Sequence, residues 1–224
     1  MQRASRFFTD DQRKAIEQAV AEAESKTSAE IVPALTTASG RYDRAEDIIG
    51  LCFGVIALAI AWLSLRNAPA ETDWGIAWGR YELPALIAAL ALGWFLGVVV
   101  AMRIAWLRRL FTPRGQMRAE VNLGARQMFF DWRVHRTATG AGVLVYISLY
   151  ERMTVVLADE TALGALGQQR IDQLCAELTP ILRSSEPAAG LCRFLNQLGD
   201  ELGAKLPRAA NDANELPNGL VLID

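Results

Sequence analysis

Two uncharged apolar runs constrain this chain more than any other feature. The first is IIGLCFGVIALAIAWLSL, Ile48 to Leu65, and the second is LPALIAALALGWFLGVVVAM, Leu83 to Met102. At 18 and 20 residues, each reaches the length at which a helix crosses a hydrocarbon core about 30 Å thick. A helix apolar on every side must be wrapped by protein or by lipid. A chain of 224 residues has too little remaining material to wrap two of them. The pattern therefore predicts a transmembrane hairpin over 48–102, with spans 48–65 and 83–102 joined by a loop at 66–82. All five charged residues of 48–102 fall in that loop.

The arginines orient the hairpin. Arg41 and Arg44 precede the first span, and Arg103, Arg108, Arg109, Arg114 and Arg118 follow the second, whereas the loop holds only Arg66 and Arg80. Positive charge collects on the cytoplasmic side, so both soluble segments and both termini are expected in the cytoplasm. Trp74, Trp78 and Tyr81 then fall at the outer interface and Trp106 at the inner one. Small residues recur at every fourth position of the second span, at Ala85, Ala89, Gly93, Gly97 and Ala101. The first span has Gly50, Gly54, Ala57 and Ala61. Such stripes let helix backbones approach closely. Packing within the hairpin is the favoured reading, and a homo-oligomer through the same faces is the alternative. Neither span holds an Asp, Glu, Lys, Arg or His to mark an ion or proton path.

Outside the hairpin the chain reads as a soluble α/β domain in two pieces, 1–47 and 103–224. Thr9 and Gln12 form a T-x-x-Q capping box, and Ala15, Ile16, Ala19, Val20 and Ala23 follow at helical spacing. AEIVPALTT reads as a strand, and Pro33 within it suggests an edge or a bulge. After the second span, 115–133 reads as an amphipathic helix with Val121, Ala125, Met128, Phe129 and Trp132 on one side. This helix and the opening one are expected to share one core. GVLVYISL and MTVVLAD, separated by Glu151-Arg152, read as an antiparallel hairpin. Two helices follow, one carrying Ile171, Leu174 and Leu178, the other Leu191, Phe194, Leu195, Leu198 and Leu202. The tail from Asn211 can add a short strand. The expected fold is a small mixed α/β sheet flanked by helices and interrupted by the membrane hairpin. Such an insertion is tolerated when its two ends leave the same side of the domain.

Composition narrows the function classes. The net charge of −2, with no long basic run, argues against nucleic acid as a partner. Cys52, Cys175 and Cys192 have neither CxxC nor metal spacing and suit free thiols in a reducing compartment. The opening MQRASRFFTDDQRK turns polar and helical too early for a signal peptide.

The soluble segments resemble the TPM-domain family, which occurs in thylakoid proteins of photosystem repair, in a receptor-accessory protein and in many bacterial membrane proteins. The resemblance rests on the opening helix, TSAEIVPAL (Thr27 to Leu35), GRYDRAED (Gly40 to Asp47), HRTATGAGVLVYISLYERMTVVLAD (His135 to Asp159) and NELPN (Asn214 to Asn218). It implies an α/β fold of layered helices and sheet, with the hairpin inserted after the first strand as in some bacterial members. It also implies a place in the bacterial inner membrane and a link to acid phosphatase activity and divalent-cation binding. Other members carry a signal peptide and a C-terminal anchor and face outward, a plan from which this chain departs.

The residues themselves offer little chemistry. There is no Cys-x5-Arg cradle, Walker loop or HExxH, and the one histidine, His135, falls in a turn-rich stretch. Arg136, Thr137 and Thr139 offer anion donors in that stretch, although such a segment is more often a plain loop. Asp159 and Glu160 at a strand end, together with Glu30, are the remaining candidates for holding Ca²⁺ or Mg²⁺. An ordinary helix cap at Asp159-Glu160 is the favoured reading. No catalytic or cofactor-binding residue is assigned. The function expected is a non-catalytic adaptor or assembly factor in the bilayer, with other membrane proteins as partners. A weak metal-dependent acid phosphatase is the alternative.

Overall fold

The computed structural model describes residues 3–67, 82–137, 139–209 and 215–224. The expectations for Trp74, Trp78, Arg80, Tyr81 and Asn214 lie outside the described residues. The chain divides into two compact units, Arg41–Arg114 and the remainder. The two boundaries fall several residues outside the apolar runs, because helical structure and its polar flanks extend beyond them.

The larger unit is built on a four-stranded sheet. Helix α1 (Asp10–Glu24) starts at the expected box: Gln12 N–H donates to the Thr9 hydroxyl (3.3 Å) and Thr9 N–H to Gln12 Oε1 (3.0 Å). Strand β1 (Glu30–Thr36) leads out of the unit at Gly40, and helix α5 (Arg114–Asp131) leads back in. Strands β2 (Gly142–Ser148) and β3 (Met153–Ala158) form the antiparallel hairpin. Three helices follow: α6 (Glu160–Leu166), α7 (Gln168–Ile181) and α8 (Pro187–Lys205). The third arises because Gly167, at φ +81°, breaks the run after Leu166. Strand β4 (Val221–Ile223) closes the sheet in the order β3-β2-β1-β4, with β1 parallel to both of its neighbours. The sheet is therefore mixed and flanked by helices.

Pro33 lies in a strand that is interior to the sheet, but at a point where the ladder to β4 has not yet begun, so its nitrogen sits at a local edge. Glu30 N–H donates toward β2 and Thr37 N–H toward β4, so odd-numbered positions of β1 face β4. Pairing with β4 begins only at Ala34. The N–H that proline lacks would have pointed where no partner strand has yet begun.

The two faces of the sheet have separate cores. Ile31, Leu35, Val143, Val145 and Ile147 pack against α1, α6, α7 and α8. Val32, Ala34, Leu144 and Tyr146 pack against Val121, Ala125, Met128 and Phe129 of α5. Helices α1 and α5 thus lie on opposite faces instead of sharing one core. Every residue of β1 and β2 is buried, as expected for parallel strands covered on both sides. Trp132, expected on the apolar side of α5, falls just past its end and is exposed.

The other unit holds helices α2 (Asp43–Arg66) and α3 (Glu82–Arg103) and the short helix α4 (Ala105–Leu110). Both α2 and α3 are long and apolar enough to cross a membrane, and only 17% of the apolar window in each is buried. They pack on each other through the small-residue stripes. A methyl group added at Gly93 would lie 2.6 Å from Ala57 Cβ and 2.9 Å from the Phe53 carbonyl oxygen. One added at Gly97 would lie 2.7 Å from Phe53 Cβ and 2.9 Å from Gly50 Cα.

Candidate functional site

The residues singled out as possible cation ligands sit at the amino ends of β1 and β2. Glu30 pairs with Gly142, whose carbonyl accepts Asp159 N–H (2.8 Å). Strand β2 thus separates Glu30 from Asp159, and two strand spacings put their backbones roughly 10 Å apart. Glu30 is buried and its Oε1 accepts Glu215 N–H (3.2 Å). Asp159 is the N-cap of α6, where its carboxylate accepts Glu160 N–H (2.8 Å), and Glu160 lies exposed in the first turn. Among the described residues, no group of three or more His, Cys, Asp or Glu is arranged to hold a metal ion. This end of the sheet is also the one opposite the carboxyl ends of the parallel strands, where open α/β sheets bind their ligands.

The hydroxyls of the neighbouring loop are spent on backbone groups. Thr137 Oγ1 accepts Ala141 N–H (3.0 Å), and Thr139 Oγ1 donates to the Ser28 carbonyl (2.9 Å). His135 and Arg136 belong to a short 3-10 helix, Val134–Arg136. The His135 ring meets the Phe130 ring edge-on, with centroids 4.8 Å apart, and its Nδ1 is 3.4 Å from the Phe129 carbonyl oxygen.

A denser polar cluster, missed by sequence reasoning, occupies the carboxyl ends of β1 and β2. Glu151 is 1% exposed. Its Oε1 accepts Ser39 N–H (2.9 Å), and its Oε2 accepts the Ser148 hydroxyl in a short hydrogen bond. The Ser39 and Tyr146 hydroxyls are 3.1 Å apart. Burial pushes the Tyr146 hydroxyl above the ordinary tyrosine range, although the bond to Ser39 works against this. Tyr146 reaches this position because Gly124 of α5 has no side chain: a methyl there would lie 2.7 Å from the Tyr146 oxygen. The cluster ties the β2–β3 turn to the residue just before the chain leaves the sheet at Gly40.

Asp224, beyond β4, fastens the same end. Its carboxylate accepts Ser5 N–H (3.1 Å), the Ser5 hydroxyl (2.5 Å) and the Thr37 hydroxyl (2.9 Å). The hydrogen bonds from Ser5 hold its carboxyl below the ordinary range.

These groups hold the backbone in place and do not form a reactive constellation. His135 and Glu151 lie at opposite ends of β2, about 20 Å apart for seven residues at the usual strand rise. No histidine is therefore near the Ser148–Glu151 pair to act as a base. Burial raises the thiols of both Cys175 and Cys192, which disfavours the reactive thiolate. Cys175 Sγ instead accepts Val156 N–H (3.1 Å), joining α7 to β3. Only Asp159 and Glu160 of the expected candidates come together, and they do so as a helix cap. The Glu151 cluster had one weak signal in the sequence, an acidic residue inside a tight turn between two apolar strands.

Neither a protein-family model nor a curated protein sequence matches the chain. Among solved structures it is similar to the NMR structure of BA42 protein from the psychrophilic bacterium Bizionia argentinensis. The TM-score is 0.54 at 17% identity, over 96% of this chain and 94% of that one. At that identity the likeness shows the fold.

Proposed function

We propose that this chain is a multi-pass protein of the bacterial cytoplasmic membrane. In this reading a TPM-type domain on the cytoplasmic side acts as a non-catalytic adaptor or assembly factor for other membrane proteins. The observation that carries it is the exposed apolar surface of α2 and α3, inserted into an α/β domain. Ile56, Ile60, Leu92 and Phe95 are each more than half exposed, and a bilayer is the solvent that such surface suits. The adaptor role draws on the cytoplasmic unit. Its buried polar groups are engaged in holding strand ends, while α5 presents Leu123 and Phe130 more than half exposed. Exposed apolar residues of this kind mark contact surfaces.

The test has two parts. Asn67→Cys should react with a membrane-impermeant thiol reagent in intact cells, and Ser185→Cys should not; the opposite pattern would overturn the orientation. The intact chain, purified in mild detergent, should retain a membrane protein that is lost from a Leu123→Ser/Phe130→Ser double variant. Identical retention by both would refute the adaptor surface. Turnover of an aryl phosphate with Mg²⁺, Mn²⁺ or Ca²⁺, abolished by Asp159→Asn and Glu160→Gln, would replace the adaptor reading with the phosphatase one.

A further inference from the structure

The short helix α4 is more exposed and more apolar on one side than a connector needs to be. Helix α3 stops at Arg103, and Ile104, at φ −112° and ψ 85°, breaks the helix before α4 begins. The chain therefore turns off the axis of the membrane helix as it leaves it. Trp106 and Leu110 stand four residues apart on one face of α4, and they are 70% and 72% exposed. Met102, at the end of α3, and Phe111 are exposed beside them in sequence. Arg108 projects from the opposite face and pairs with Glu46 of α2 (2.7 Å), with both side chains largely covered. That ion pair fixes which side of α4 turns toward the hairpin and which turns away. The apolar side faces away.

Charge identifies what covers it. From Arg103 to Arg118 the chain holds five arginines, at 103, 108, 109, 114 and 118, and no acidic residue. A short helix with exposed tryptophan and leucine, bordered by arginines and continuous with a membrane-crossing helix, has the chemistry of a segment lying in the bilayer interface. We infer that α4 lies in the membrane surface at the foot of α3, with Trp106 and Leu110 among the acyl chains and Arg103 and Arg114 against anionic phospholipid headgroups. This inference rests on the membrane reading of α2 and α3. It adds a lipid-recognising surface that makes seating of the cytoplasmic segments sensitive to leaflet charge.

The experiment uses the full chain with Cys52→Ala, Cys175→Ser and Cys192→Ala, reconstituted into two kinds of vesicle. One is pure phosphatidylcholine and the other contains phosphatidylglycerol. Nitroxide labels are attached singly after Trp106→Cys, Leu110→Cys or Arg114→Cys, with Ile60→Cys and Phe95→Cys as hairpin references. Collision with oxygen and with a water-soluble nickel reagent reports depth. Labels at 106 and 110 should be oxygen-accessible and shielded from nickel, more so with phosphatidylglycerol, whereas the label at 114 should meet nickel freely. Arg103→Gln and Arg114→Gln together should lower the immersed-to-exposed ratio at 110, by roughly five-fold per arginine in the charged vesicles. If 60 and 95 are shielded while 110 meets nickel as freely as 114, the inference fails and the membrane reading stands. Immersion equal in both vesicles and unchanged by the arginine substitutions would overturn the recognition of anionic lipid. Free access of nickel to 60 and 95 would end both.

Discussion

Replacing Gly93 with alanine asks how closely the two apolar helices depend on each other. The added methyl would sit 2.6 Å from Ala57 Cβ, 2.9 Å from the Phe53 carbonyl oxygen and 3.0 Å from Gly54 Cα. Non-bonded carbons rest about 3.5–4.0 Å apart, so α2 and α3 must separate locally by about 1 Å. Two of the three obstructing atoms belong to backbone, so no side-chain rotation relieves the clash. A gap of that size forfeits a quarter to a half of each contact well, and overpacking a tight site costs about 1–3 kcal/mol. Gly97→Ala meets Phe53 Cβ, Gly50 Cα and the Ile49 carbonyl oxygen at 2.7–3.0 Å and should cost a similar amount.

The two sites share Phe53 as a neighbour, so the double variant should fall short of the sum of the single effects. Unfolding in mixed micelles, followed by tryptophan fluorescence as dodecyl sulfate is raised, measures this directly. Each single variant should unfold at lower dodecyl sulfate while still inserting into membranes. Unchanged unfolding of both single variants would refute helix packing through these glycines. Unchanged unfolding together with loss of a dimer would place the stripe against a second chain.

Three further predictions follow from the α/β unit. Glu151→Ala strands the Ser39 N–H and the Ser148 hydroxyl, and should lower the stability of this unit by about 2–4 kcal/mol in chemical denaturation; Glu151→Gln, which keeps one acceptor, should lose less, and equal losses would show that acceptor geometry is not what matters. Arg170 joins α7 to α8 by gripping both carboxylate oxygens of Glu201 (2.6 and 2.8 Å) and reaching Glu177 (2.7 Å), so Glu201 is held below its ordinary range chiefly by Arg170. A depressed carboxyl stabilises above its unfolded value, near pH 4.3, and that stability drains as pH falls through the lower folded value; Arg170→Gln should flatten this acid-side slope in pH-dependent melting, and an unaltered slope would refute the assignment. Replacing residues 41–114 with a short Gly/Ser linker should give a soluble, cooperatively melting protein, and an unfolded product would show that the α/β unit needs the hairpin.

Much of this architecture is legible in the sequence where a local rule governs it. Thr9 and Gln12 announce the start of α1 because both partners of the capping box lie within one turn. The β2–β3 hairpin follows from two apolar runs separated by a short polar turn. The layer arrangement does not follow from local rules. Strands β1 and β2 are buried on both faces, so they lack the alternation that would tell which side α1 or α5 covers. The separation of Glu30 from Asp159 depends on β2 lying between β1 and β3, and strand order is not written in spacing. The Glu151 cluster joins residues more than a hundred positions apart. Pro33 signals only a local edge for a related reason: which stretch of β1 is unpaired depends on where β4 begins.

The point of insertion follows from the geometry of the sheet. The α/β unit loses its chain at Gly40 and regains it at Gly115. Gly40 packs so closely on Glu120 of α5 that an added methyl would lie 2.6 Å from Glu120 Cγ. Glu120 is five residues past Gly115, or about 7.5 Å along a helix, so the exit and the return lie close together on one side of the unit. Two antiparallel helices joined by a loop also have their ends side by side, so the insertion asks for no strand to move and no core residue to be uncovered. Strands β1 and β2 pair in parallel and need a long crossover in any case. Lengthening an existing crossover adds little closure entropy, which makes this connection a permissive place in the fold to carry a hairpin. The Glu151 cluster sits at that exit, binding Ser39 to the β2–β3 turn, and so holds the end of the sheet where the inserted segment departs.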